Sequence, residues 1–218
     1  MRVLILDCDF DRNVKTNGAR LIKGILEPCG ADTRIYRAFG PSMPSKDSLM
    51  DYDRVIITGS MASAYDKRNW VLRLAITIRA IDRMGIRTLG ICFGHQAIAF
   101  ALGGTVEKGC GEQGFETVGI AKEGRADPLF GGMPKEFIAY QSHGDYVKSL
   151  PKSGVLLAKS RSCIQAYRIR KMHGVQFHPE ISKEIAAIMY RRDGRPITFG
   201  ALAERYALPA KIIENFVE

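Results

Sequence analysis

The run Leu89-Gly90-Ile91-Cys92-Phe93-Gly94-His95-Gln96 puts a thiol between two glycines, where a short apolar stretch passes into a helix-like one. A G-x-C-x-G turn holds its central residue in a strained backbone conformation, and the flanking glycines leave room for neighbouring backbone and for substrate. The thiol then stands at the start of a helix, where peptide dipoles favour the thiolate and the next N–H, that of Phe93, can receive an oxyanion. A nucleophilic sulfur also needs a base for its proton and a third group to orient that base, and both need be near only in space. Gly174-Val175-Gln176-Phe177-His178-Pro179-Glu180 offers an imidazole at the end of a second apolar run and a carboxylate two residues later. Taken alone, a cysteine in an apolar stretch is as readily a small core residue. The downstream imidazole and carboxylate make Cys92, His178 and Glu180 the candidate catalytic set.

Two further polar segments, the turn Thr58-Gly59-Ser60 upstream and a polar turn, Ser142-His143-Gly144-Asp145, following the apolar Phe137–Tyr140 run, complete four ordered motifs. With them the sequence resembles the class I (triad) glutamine amidotransferases, especially their GMP-synthase-like, stand-alone members, from about the N-terminus to the helix after Glu180. The resemblance implies a glutamine or γ-glutamyl substrate and an oxyanion hole built from the turn at Gly59 and Ser60 with the amide of Phe93. It further implies substrate contacts from Gln96 and from the segment holding Ser142, His143, Gly144 and Asp145. Gln96 lies one helical turn beyond Cys92, so its amide can face the same pocket. Plainer readings stand beside these: an ordinary strand-exit turn at Thr58–Ser60, a surface glutamine at 96, a structural imidazole at 143.

Neither a metal nor an organic cofactor is expected, because the histidines and cysteines show no metal-ligand spacing and neither a P-loop nor a G-x-G-x-x-G occurs. Relatives of this kind pass ammonia to a separate ATP-dependent synthetase, so such a partner is implied. One departure bears on the substrate. The segment Thr58-Gly59-Ser60-Met61-Ala62-Ser63-Ala64-Tyr65-Asp66 stands where GMP synthase typically has Gly-Gly-Pro, and it is closer to the G-S followed by S-V-Y-D of the stand-alone relatives. The first reading is therefore a glutaminase supplying a separate synthetase. The alternatives are a stand-alone γ-glutamyl peptide hydrolase, a GMP synthase glutaminase subunit, and a non-catalytic regulatory or binding protein of the same fold.

To position these groups the chain has 218 residues, 46% of them hydrophobic, enough for one α/β domain with a sizeable core. The expected division is an amidotransferase domain over 1–192 and a C-terminal helical extension, 193–218, packed on it. No apolar stretch is long enough to cross a bilayer, and Asp7 comes too early for a secretory signal, which points to a cytoplasmic protein. Five cysteines (Cys8, Cys29, Cys92, Cys110, Cys163) form an odd set without C-x-x-C spacing, against a disulfide framework or a zinc ribbon. The net charge of +9 is spread along the chain without basic–aromatic alternation, so nucleic acid is not the expected partner. The densest group, Arg191-Arg192 with Arg195, reads as a helix-end cluster. Oligomeric state is left open.

Periodicity predicts strands at Val3–Leu6, Thr33–Tyr36, Val55–Thr58 and Thr88–Ile91, alternating with helices at Gly18–Leu26 and Trp70–Met84. The second helix is expected to turn Leu72, Ile76, Ile81 and Met84 toward one face. This alternation signals an open, largely parallel, flavodoxin-like sheet flanked by helices. Beyond Gly103-Gly104, strand candidates at Thr117–Ala121, Phe137–Tyr140, Val155–Ala158, Ile164–Arg168 and His173–Phe177 predict an added antiparallel portion. Ser182 caps a last helix to about Tyr190, a turn at 193–196 stops it, and short helices follow.

Overall fold

The computed structural model describes residues 1–11, 13, 15–194, 196, 206 and 210–218, and for Cys110 the backbone alone. Arg195, and most of the stretch in which short C-terminal helices were expected, lie outside the described residues. Nine strands are present among those described: β1 Arg2–Asp7, β2 Asp32–Arg37, β3 Arg54–Ile57, β4 Arg87–Ile91, β5 Thr105–Ile120, β6 Glu136–Ser149, β7 Gly154–Lys159, β8 Ile164–Ile169 and β9 Met172–Val175. The helices are α1 Gly18–Leu26, α2 Lys46–Met50, α3 Asn69–Met84, α4 Phe93–Ala101, α5 Lys183–Arg192 and α6 Lys211–Val217. None of them is long and apolar enough to cross a membrane.

One sheet runs through the molecule in the order β2-β1-β3-β4-β9-β8-β7-β5-β6. Its first five strands are parallel and the rest pair antiparallel. The inner parallel strands β1, β3, β4 and β9 are buried on both faces, which is why β1 reads as the unbroken apolar run Val3-Leu4-Ile5-Leu6 rather than as an alternation, while the edge strand β2 has no fully buried residue. Helices α1 and α6 cover one face, with Ile22, Leu26, Ile212 and Phe216 against Val3, Ile5 and Val175. Helices α3 and α4 cover the other, with Leu74, Ile78 and Ile98 against Leu4, Val55 and Ile57. Helix α6 is tied down by Asn215, whose Nδ2 donates to the carbonyls of Leu129 and Gly131 at 3.0 and 2.9 Å.

Three expectations need correction. In α3 the buried stripe is Val71, Leu74, Ile78 and Ile81, while Leu72 and Ile76 face outward, 51% and 62% exposed. The helix carries apolar residues around most of its circumference, so two stripes compete in the sequence and packing selects one. Of the strands after Gly104, β5 and β6 are far longer than their apolar centres and form a hairpin of 16 and 14 residues whose outer half is polar, while β9 stops at Val175, short of the expected Phe177. Ser142–Asp145 is consequently not a turn but part of β6, paired with β5 through Gln113↔Ser142 and Glu112↔His143.

Candidate active site

The parallel strands deliver the predicted residues to one edge. Ligands of open α/β sheets gather beyond the carboxyl ends of the strands, and here Gly59 follows β3, Cys92 follows β4 and His178 lies just past β9. Cys92 has φ 52° and ψ −103°, a region that side-chain-bearing residues avoid and that costs about 1–3 kcal/mol. The conformation is held from both sides: the Cys92 N–H donates to Val175 O at 2.8 Å and its carbonyl accepts from Gln96 N at 3.1 Å. The two glycines of the elbow are the contact between α4 and the sheet. A Cβ at Gly94 would stand 2.3 Å from the Ile57 carbonyl oxygen, and one at Gly90 2.4 Å from the Gly94 backbone.

His178 is fixed through its own backbone, its N–H donating to Tyr140 O at 2.9 Å. Its Nδ1 lies 2.8 Å from Glu180 Oε1, and the carboxylate assigns the proton to Nδ1 and leaves Nε2 as the basic nitrogen. Nε2 is buried and makes no hydrogen bond of ordinary geometry among the described residues. Burial alone would lower the pKa of this ring, but the Glu180 carboxylate and the neighbouring Cys92 sulfur outweigh it and hold the imidazole well above its usual range. The Cys92 sulfur in turn lies 3.8 Å from Ser142 O.

Thr58 ties the exits of two strands together, its Oγ1 accepting from Cys8 N at 2.9 Å, so the next residue, Gly59, is set directly beside the imidazole. A Cβ built on Gly59 meets His178 Cε1 at 3.1 Å and Cys92 Cβ at 3.6 Å. Gly59→Ala is therefore expected to push the ring aside by a few tenths of an ångström. Steady-state turnover should fall roughly tenfold to a hundredfold while the melting temperature stays close to that of the parent chain; unchanged turnover would mean that the ring's position is not critical.

A cavity of about 310 Å³ opens over the sulfur, bounded by Gly59, Ser60, Ser142, His178 and Glu180. Of the other predicted residues, Gln96 is turned elsewhere. Its Nε2 donates to Asp145 O at 2.9 Å and to Gln176 Oε1 at 3.1 Å, so it secures the 142–145 segment from below. His143 is likewise engaged with Asp145 O, at 3.0 Å from Nδ1, and Asp145 Oδ1 accepts from Tyr65 at 3.2 Å. Neither Gln96, His143, Gly144 nor Asp145 lines the cavity.

Sequence reasoning passed over the groups at the mouth. Asp9, Phe10 and Asp11 follow β1, Met61 follows the Gly59 turn, and Arg192 ends α5. Arg192 Nη1 pairs with Asp11 Oδ2 at 2.6 Å across the opening. Burial, with smaller contributions from Asp11 and Glu180, raises the Asp9 carboxyl above its ordinary pKa. The signal was present: acids at the alternate positions Asp7, Asp9 and Asp11, running from the last residue of the first strand outward, at the end of the sheet where ligands collect.

A doubly wound sheet that sets a strained thiol against an imidazole–carboxylate pair defines a class of proteins equipped for acyl transfer through sulfur. The family model for "Glutamine amidotransferase class-I" matches residues 9–193, and the chain belongs to that family. Gamma-glutamyl peptidase 3 of Arabidopsis thaliana is 31% identical over 192 residues, covering 84% of this chain and 77% of that protein. A GMP synthase [glutamine-hydrolyzing] of Pyrobaculum aerophilum is 47% identical over 137 residues, 62% of this chain but only 26% of its own length. The chain thus spans about a quarter of the GMP synthases it matches. Among solved structures, a glutamine amidotransferase from Thermotoga maritima shares the fold with a TM-score of 0.79 at 24% identity, covering 100% of this chain and 98% of the other. A glutamine amido transferase from Methylobacillus flagellatus does so with a TM-score of 0.78 at 18% identity, over 99% and 93%.

Proposed function

We propose that this chain hydrolyses γ-glutamyl amides, with glutamine as substrate and a separate synthetase as the consumer of the ammonia. The observation that carries the reading is the His178–Glu180 pair held beside the strained Cys92 over a cavity sized for an amino-acid side chain. Cys92 passes its proton to His178 Nε2 and attacks the γ-carboxamide carbon, forming a C–S bond. The developing oxyanion is received by backbone N–H groups of Phe93 and of the Gly59–Ser60 turn. His178 returns the proton to the nitrogen as the C–N bond breaks and ammonia leaves. Water, deprotonated by the same nitrogen, then attacks the γ-glutamyl thioester, expelling the sulfur and releasing glutamate. Glu180 keeps the ring in the required tautomer throughout. Ser142, through its carbonyl, walls the sulfur, while Gln96, His143, Gly144 and Asp145 support that wall.

A second reading, a γ-glutamyl peptidase acting without a synthetase, is favoured by two observations. The Arabidopsis peptidase matches along most of both chains, and the cavity mouth carries the apolar side chains Phe10 and Met61, 42% and 95% exposed, where a γ-linked residue would emerge. The test is glutamate release from glutamine and from a series of γ-glutamyl dipeptides, with and without an ATP-dependent synthetase, combined with labelling by a chloroketone analogue of glutamine. Release from glutamine and label on Cys92 support the first reading. Faster release from dipeptides selects the second, and neither release nor Cys92 labelling overturns both.

A further inference from the structure

Away from the catalytic edge, the β5–β6 hairpin and the turn before β8 bring together a second set of chemistry-bearing groups. Glu112 Oε2 lies 3.3 Å from His143 Nε2 and 3.5 Å from Cys163 Sγ, and the three ligand atoms all fall within 4.8 Å of one another. We propose that Glu112, His143 and Cys163 form a binding site for a thiophilic divalent metal, Zn²⁺ being the ion whose chemistry fits best.

The distances from Glu112 Oε2 to His143 Nε2 and to Cys163 Sγ are those between donors of a tetrahedral zinc centre, whose metal–ligand bonds of about 2.0–2.3 Å place neighbouring donors roughly 3.3–3.8 Å apart. A thiolate, an imidazole and a carboxylate together suit zinc and cobalt and disfavour the hard, all-oxygen ions magnesium and calcium. The surroundings orient each ligand as metal sites require. His143 Nδ1 lies 3.0 Å from the Asp145 carbonyl, which fixes the ring with Nε2 directed at Glu112 Oε2. Glu112 is held by Gln165, whose Nε2 donates to Oε2 at 2.6 Å and whose Oε1 accepts from Gln141 at 2.9 Å. Cys163 sits in a tight turn in which its N–H donates to Ser160 Oγ at 3.1 Å. A groove of about 1020 Å³, lined by Gly111, Glu112 and Ser160–Ser162, reaches Glu112 from the surface. The fourth coordination position is left to water.

The bound ion would pin the strand segment that carries Ser142, and so the wall beside Cys92. Because Cys92 also faces an imidazole, the experiment uses the full chain with Cys92→Ala, stripped of metal and titrated with Co²⁺. The expected result is one equivalent of Co²⁺ bound, with a thiolate-to-metal charge-transfer band in the near ultraviolet and tetrahedral visible absorption, both displaced by Zn²⁺. Adding Cys163→Ser removes the charge-transfer band, and Gln165→Leu, which touches no metal, weakens binding on the order of tenfold to a hundredfold. Glu112→Gln serves as a second ligand variant should the serine variant fold poorly. Absence of the charge-transfer band at saturating Co²⁺, or its persistence after Cys163→Ser, overturns the proposal, and neither outcome bears on hydrolysis at Cys92.

Discussion

Cys92→Ser is expected to lose turnover of every γ-glutamyl substrate by on the order of 10⁴-fold or more, the size of loss seen when a triad nucleophile is removed. A hydroxyl in the same place is far less acidic, and the His178–Glu180 pair is arranged to exchange a proton with sulfur. The elbow makes the contrast with a purely structural cysteine measurable. Cys92 adopts φ 52°, so glycine at this position removes backbone strain of about 1–3 kcal/mol, offset in part by the entropy of a freer unfolded chain. Cys92→Gly should therefore be inactive yet at least as resistant to heat as the parent, whereas a cysteine serving only as core filling would leave a destabilised protein. Thermal unfolding of the two variants beside an assay of glutamate release decides between these roles. Glu180→Gln adds a pH signature. Glu180 is one of the groups holding the His178 imidazole above its usual pKa, and the cation must persist for the leaving amine to be protonated. Without that carboxylate the ring loses its proton at lower pH, so the alkaline limb of kcat/KM moves toward acid. An unmoved limb would show that Glu180 does not set the charge of the ring.

How much of this was legible in the sequence follows from the range of each signal. The elbow was readable because its requirements are local: two glycines at fixed offsets around a cysteine between an apolar strand and a helix. The inner parallel strands were readable because burial on both faces leaves runs such as Val3–Leu6 with no polar interruption. His178 and Glu180 carried a pattern of their own at the end of such a run, although 86 residues separate the ring from the sulfur and only the pairing of β4 with β9 joins them. The direction of Gln96 was not readable. Helical spacing places it on the side of α4 near Cys92, but its amide is drawn to Asp145 O and Gln176 Oε1, partners supplied by other strands. The same holds for Glu112, His143 and Cys163, whose meeting depends on the register of a hairpin with an irregularity between Lys108 and Glu112. Sequence spacing carries no trace of such a register.

The packing beneath the elbow leads to the largest expected effect on folding. Helix α4 rests on the sheet through Gly94, and the atom that a Cβ there would strike, at 2.3 Å, is the carbonyl oxygen of Ile57. That oxygen belongs to β3, held on one side by β1 and on the other by β4 at the centre of the parallel half, so it has no direction in which to yield. Gly94→Ala must instead lift the first turn of α4, opening the contact of Phe93 and Ile98 with the buried layer below. Overpacking typically costs about 1–3 kcal/mol and more where the struck atom is backbone that cannot yield, so a loss of about 3 kcal/mol or more is expected, a large part of the stability of an ordinary domain. For a chain of this size that corresponds to a fall in melting temperature of roughly 10 °C or more. Gly24, inside α1 with nothing within 4 Å of the point where a Cβ would stand, provides the opposite case. Gly24→Ala is expected to stabilise by about 0.5–1 kcal/mol through helix propensity. Calorimetry on the pair separates the two contributions: equal, small shifts would mean that the tight contact at Gly94 is relaxed at little cost, and that the elbow could be moved without moving the sheet.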